Sequence, residues 1–230
     1  MSALTGLVAN SSVNSCLSPT SLIGLTNSSQ SIDGPIKTWT SNICSAAPCS
    51  NQTLATVVNT LVNGCQKEIT GLSGSDNVDP NTLASEVTPL VQQYYPTVRK
   101  VVCLQDNNNN CLVQTLQNIE TVTGPLTVNN ISNIIQMTML SGLPSNVTCT
   151  NCTKAAYNII NTDVPSIVSD ASPAIQSTCG SSFTDGATPS GISVDSNSSS
   201  QNNNNGGTTL LASGLSASAL AIISAIFTLV

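Results

Sequence analysis

Nine cysteines, Cys16, Cys44, Cys49, Cys65, Cys103, Cys111, Cys149, Cys152 and Cys179, are the side chains of this 230-residue chain best suited to chemistry. Cys149-Thr-Asn-Cys152 has the spacing of a redox motif, which in a thioredoxin-like site opens a helix after a strand in a reducing setting. Its flanks here are rich in Asn-x-Ser/Thr sequons and other cysteines, so a network of structural disulfides is expected in place of redox or metal chemistry. Spacing does not choose the partners, and an odd number leaves one thiol over.

The remaining inventory argues against catalysis. The chain has no histidine, which removes the commonest general base and the usual activator of a nucleophile. No Gly-x-Ser-x-Gly elbow, phosphate-binding glycine loop or dinucleotide fingerprint can be found. Asp163 and Asp170 lie one heptad apart on an expected helix and read as a solvated face. One Trp, three Tyr and two Phe are a poor supply of sugar-stacking platforms for a glycosidase pair, and Trp39 belongs to a helical core face. The expectation is a protein that is not an enzyme and uses no cofactor or metal.

Charge points the same way. Only 7% of residues are charged, the net charge is -6, and the five basic residues are scattered, so a nucleic-acid partner is excluded for want of a basic face. Seven sequons occur, at Asn10, Asn27, Asn51, Asn130, Asn146, Asn151 and Asn197. A chain so rich in Asn, Ser and Thr yields about that number by chance, so it is a secretory location that would open them to modification. Asn27, Asn51, Asn130 and Asn146 are the expected glycan acceptors, whereas a disulfide across Cys149 and Cys152 would hinder Asn151.

Location is the strongest reading. Leu210 to Val230 carries no charge, and the small polar run Asn202 to Thr208 precedes it. This is the arrangement of a glycosylphosphatidylinositol (GPI) attachment signal, with Asn205 as the attachment residue followed by Gly206 and Gly207. Residues 1–10 make a poor secretory leader. One expectation covers both the weak leader and the odd cysteine: the natural start lies further upstream and brings a signal and one more cysteine, a partner for Cys65.

The elements that must position these residues read as short helices. Gly34-Pro35 opens one with Ile36, Trp39 and Ile43 on one face; Asn51 caps another through Leu54, Val58, Leu61, Val62 and Cys65 to Gly71. Asp79-Pro80 opens a third through Leu83, Val87, Leu90, Tyr94 and Val98, with Pro89 and Pro96 expected to kink or divide it. Leu112, Leu116 and Ile119 mark a helix ending at Gly124-Pro125, and Ile131, Ile134 and Ile135 mark the next. Ala156 to Ile175 form a stretch broken by Pro165 and Pro173.

The expected fold is therefore all-α: a disulfide-braced bundle of short helices, with a disordered stalk and a C-terminal hydrophobic helix. Residues 1–15 are expected to be disordered, 16–183 to form the helical domain, 184–209 the Ser/Asn-rich stalk and 210–230 the attachment signal. Two related halves are suggested by aligning Cys16, Cys44, Cys49 and Cys103 with Cys111, Cys149, Cys152 and Cys179, which leaves Cys65 unmatched.

Leu17-Ser-Pro19, the Cys44 to Cys49 cluster, Tyr95-Pro-Thr-Val-Arg-Lys-Val-Val-Cys103, Leu143-Pro-Ser-Asn-Val-Thr-Cys149-Thr-Asn-Cys152 and Ser181-Ser-Phe-Thr-Asp-Gly186 together resemble a family of uncharacterised, cysteine-rich surface proteins of mushroom-forming (basidiomycete) fungi. The resemblance covers about residues 16–186 and implies a secreted, GPI-anchored product with no assigned chemistry. Expected partners are the membrane through a GPI lipid, and either cell-wall polysaccharide or a small apolar ligand such as a lipid or sterol.

Overall fold

The computed structural model describes residues 2–66 and 79–194. Asn197, Asn205, the stalk from residue 195 and the hydrophobic end 210–230 lie outside the described residues. In chain order the helices are α1 (Ser2–Ala9), α2 (Ser11–Leu17), α3 (Asp33–Ser45), α4 (Asn51–Gly64), α5 (Pro80–Val102), α6 (Cys111–Thr123), α7 (Ile131–Ser141), α8 (Ser145–Thr148), α9 (Asn151–Asp163), α10 (Pro165–Val168) and α11 (Ser172–Cys179). Short 3-10 segments lie at Pro19–Thr26 and Ser181–Thr184, and three short strands are β1 (Leu104–Asp106), β2 (Asn109–Asn110) and β3 (Ile192–Val194). The protein is mostly helical and carries four disulfides, as the apolar periodicity and cysteine usage predict.

The chain forms two compact units, and the expected single domain of residues 16–183 is distributed over both. The first draws on the described parts of residues 1–19 and 48–96. Val58 and Val62 of α4 pack with Leu83, Ala84 and Val87 of α5, while Cys16, Cys49 and Leu54 form a second cluster with Leu17, Val91 and Tyr95 against it. Both sets of helical residues recur at three and four, so each helix buries one stripe. Ser50, not Asn51, caps α4: its hydroxyl accepts from the Thr53 N–H at 3.1 Å, and Asn51 is the first helical residue. At the start of α5, Asp79 Oδ2 accepts from the Thr82 N–H at 2.9 Å and the Thr82 hydroxyl at 2.6 Å.

The expected disorder of residues 1–15, and a division of α5 at its prolines as opposed to a kink, are not what the structure shows. Residues 2–9 and 11–17 are helical where disorder was expected. Their Ser, Thr, Asn and Gly content gives weak intrinsic preference, and packing overrides it. Ala3 is buried, and a Cβ on Gly64 would lie 2.6 Å from Ala3 Cβ, so α1 and α4 meet through their smallest side chains. Asn10 Oδ1 caps α2 at the Val13 N–H, and a disulfide holds its other end at Cys16. Helix α5 is also unbroken across Pro89 and Pro96. Both prolines are exposed and lie seven residues apart, on one face of the helix, so the carbonyls they leave without an N–H partner lie on its outer side.

The second unit comprises residues 20–47 and the described part of 97–199. Helix α6 packs on α3, and α9 packs on α6, α10 and the small sheet. Around Leu104, Cys111, Cys152 and Ala155 gather Ile159, Ile192 and Val194; Ile32, Leu126 and Ile134 gather Leu116, Ile119 and Ile131; Tyr157, Val168 and Phe183 gather Ile160 and Ile175. Pro165 begins α10 and Pro173 lies in the first turn of α11, which divides the stretch 151–179 at the prolines, as the sequence predicts.

The sheet was not anticipated. Its order is β2-β1-β3, antiparallel throughout, with Gln105 opposite Asn110 and Leu104 opposite Val194. Asn107 and Asn108, at φ 49° and 67°, make the two-residue turn between β1 and β2, since Asn tolerates the left-handed region that such a hairpin needs. Because β3 covers Ile192–Val194, residues 184–194 belong to the folded unit, which corrects the expected start of the stalk at 184. Asn158 Nδ2 also donates to the Ala187 carbonyl, tying the same segment to α9.

Candidate functional site

The cysteines resolve into four bonds: Cys16–Cys49, Cys44–Cys103, Cys111–Cys152 and Cys149–Cys179, with Cα separations of 5.2 to 5.5 Å. Each lies within one compact unit. Cys149 and Cys152 are not bonded to each other but to cysteines 30 and 41 residues away, so the Cys-x-x-Cys segment is a junction of two braces and not a two-sulfur redox centre. Cys65 is a free, half-buried thiol set against the Val58, Val62, Leu83, Ala84 and Val87 cluster.

Both sets of four cysteines pair first to third and second to fourth, so the proposed alignment of the two halves maps one interlaced pair of bonds onto the other. The helix caps set a different register. Ser50 follows Cys49 and caps Thr53; Thr150 follows Cys149 and caps Thr153 at 3.2 Å. The compact units do not match the halves either, since Cys16–Cys49 and Cys44–Cys103 fall in different units.

The acidic residues considered for catalysis have structural partners. Asp163 Oδ2 accepts from Lys100 Nζ at 2.7 Å and the Thr97 hydroxyl at 2.9 Å, tying α9 to the end of α5. Asp170 accepts from the Ser169 hydroxyl on an exposed turn. Glu120 Oε1 accepts from the Ser31 hydroxyl at 2.9 Å and the Leu126 N–H at 2.7 Å, holding the turn after α6. Asp185 pairs with Lys154 at 2.8 Å; that ammonium first, then the Ala187 N–H, holds its carboxyl below the ordinary carboxylate range. The Thr82 hydroxyl, and then its N–H, do the same to Asp79. Arg99, buried, donates to the Ala46 carbonyl near the end of α3. Trp39 is buried in α3 with Thr40 and Ile43. Among the described residues, His, Cys, Asp and Glu do not gather in threes as a metal site requires.

What remains at the surface are the sequons. Asn27, Asn51, Asn146 and Asn151 are exposed. Asn10 and Asn130 are half-buried and in use: Asn130 Oδ1 accepts from the Thr127 N–H at 2.8 Å while its Nδ2 donates to the Pro125 carbonyl at 2.9 Å. No sequence signal marked this difference, because a sequon says nothing of where its carboxamide points.

Fold and surface together define a disulfide-braced helical protein. Comparison with known protein families, curated proteins and solved structures finds no match to this chain.

Proposed function

We propose that this chain is a non-enzymatic, GPI-anchored glycoprotein of the cell surface or cell wall with a structural or interaction role, its location being that implied by the fungal surface family it resembles. The observation that carries the reading is the set of four disulfides, which closes loops of 30 to 59 residues within the two units and leaves one thiol. Such a density of bonds persists in oxidising compartments, where a braced helical head keeps its shape without cofactor or partner. The polar run ending near Asn205 and the uncharged end at Val230 supply the lipid attachment in this reading. In this reading Asp163, Asp185 and Glu120, held by Lys100, Lys154 and the Leu126 N–H, serve structural tasks.

The test is to express the native locus in full and treat intact cells with a phospholipase specific for GPI. Release of the protein, with a C-terminal peptide ending at Asn205 and carrying the ethanolamine bridge, is the expected result. A cell-retained chain that still contains Val230, or a cytosolic chain whose nine cysteines all react with an alkylating reagent, overturns the proposal.

A further inference from the structure

We propose that Asn51 and Asn151 are a matched pair of N-glycan acceptors, each on the first residue of a disulfide-anchored helix, and that Asn130 stays bare. The inference rests on the surface reading above for its biological setting and on geometry for its choice of residues. In the sequence Asn151 sits between Cys149 and Cys152, where a disulfide could hinder glycosylation. In the structure those two sulfurs diverge, to Cys179 and Cys111, so no small ring closes over Asn151.

The two sites share their construction. A bonded cysteine, Cys49 or Cys149, precedes the cap residue, Ser50 or Thr150, and Asn51 or Asn151 comes next as the first residue of α4 or α9. The sequon's third residue donates its N–H to the cap hydroxyl, and the two hydroxyls lie 2.9 Å apart at Ser50 and Thr53 and 3.0 Å apart at Thr150 and Thr153. The third and fourth N–H groups of each helix go to the hydroxyl and the carbonyl of the cap residue, so capping is done by Ser50 and Thr150 and not by the Asn carboxamide. Both Asn side chains are exposed, and neither carboxamide is engaged by another described residue.

Glycan transfer occurs while the chain is extended, when the Thr53 and Thr153 hydroxyls are not yet tied to their caps. The Asn Nδ2–sugar C1 bond forms as the C1–O bond to a lipid pyrophosphate donor breaks; the pyrophosphate leaves with the electron pair, and the amide proton passes to the transferase's base. Folding then selects among chains: one that carries a bulky sugar where the fold needs the carboxamide does not reach the native state, so the folded protein bears sugars only where they remain in solvent. At Asn51 and Asn151 it does. At Asn130 the sugar would replace one of the two hydrogens of an Nδ2 that already donates to Pro125, inside a half-buried turn whose other contact is Thr127.

The test expresses the full chain behind a cleavable secretory leader in a fungal host, removes N-glycans with peptide N-glycosidase in heavy-oxygen water, and maps the labelled residues by mass spectrometry. Label on Asn51 and Asn151 with none on Asn130 is the expected result, and Asn151→Gln should lose the mass of one glycan. An unlabelled Asn51 or Asn151, or a labelled Asn130, overturns the proposal. The same peptides from the product of the full native locus, expressed in its own cells, report separately on location. If they carry no label while the leader-led chain is labelled at Asn51 and Asn151, the surface reading fails and the acceptor pair stands.

Discussion

Gly64 shows how one side chain decides whether the N-terminal helix can exist. An added Cβ would lie 2.6 Å from Ala3 Cβ and 2.9 Å from Ala3 Cα, and backbone cannot rotate away as a long side chain can. Gly64→Ala is expected to destabilise the protein by about 1–3 kcal/mol by forcing α1 off α4. Gly34→Ala, where an added Cβ meets nothing within 4 Å, should be neutral or stabilising by up to about 1 kcal/mol. Denaturant titration of the two variants checks the contrast; equal effects would mean that α1 is not seated as described. The two Asn of the β1–β2 turn were equally decisive and equally easy to pass over, since Asn107-Asn108 marks a hairpin only when flanking residues are free to pair.

Braces and caps act at the scale of elements. Cys44 ends the buried stripe of α3 and Cys103 comes directly after α5, and both are almost fully buried, 5% and 0% exposed. Replacing both with Ser opens a loop of 59 residues and should cost about 4 kcal/mol by the loop-entropy relation, with the change read as a lower denaturation midpoint. Little or no loss would show that buried packing alone holds this unit. Acid should act on Asp79 at the start of α5 and on Asp185 beyond the second 3-10 segment. Folded values depressed below the ordinary 3.8 mean that their contribution is complete above it and is lost as the pH falls through the folded values. The melting temperature should therefore hold from about pH 7 to 5 and drop below about pH 4. An Asp79→Asn, Asp185→Asn double variant should show a smaller acid drop; an unchanged drop would assign it to other carboxylates.

Across the whole molecule the covalent pattern is the firmest expectation. Alkylation of the denatured, unreduced protein should mark one residue, Cys65, and peptide mapping should return Cys16–Cys49, Cys44–Cys103, Cys111–Cys152 and Cys149–Cys179. A peptide joining Cys149 to Cys152 would restore the redox reading. The alignment of cysteines in the sequence already left Cys65 unmatched, and that residue is the free thiol. The compact units, by contrast, were not legible, because the chain leaves and re-enters them at residues 19, 47 and 96, inside segments whose local pattern is ordinary.

Local pattern was enough for the helices whose apolar residues recur at three and four, as in α4, α5 and α9, and for the proline-divided stretch 151–179. These are properties of neighbours in the chain. Which sulfur meets which, that α1 packs through Ala3 and Gly64, that β3 joins β1, and that Asn130 is tied while Asn151 is open depend on residues brought close from far along the chain or on the direction of one carboxamide. No periodicity encodes such distances, so they were decided by packing in three dimensions.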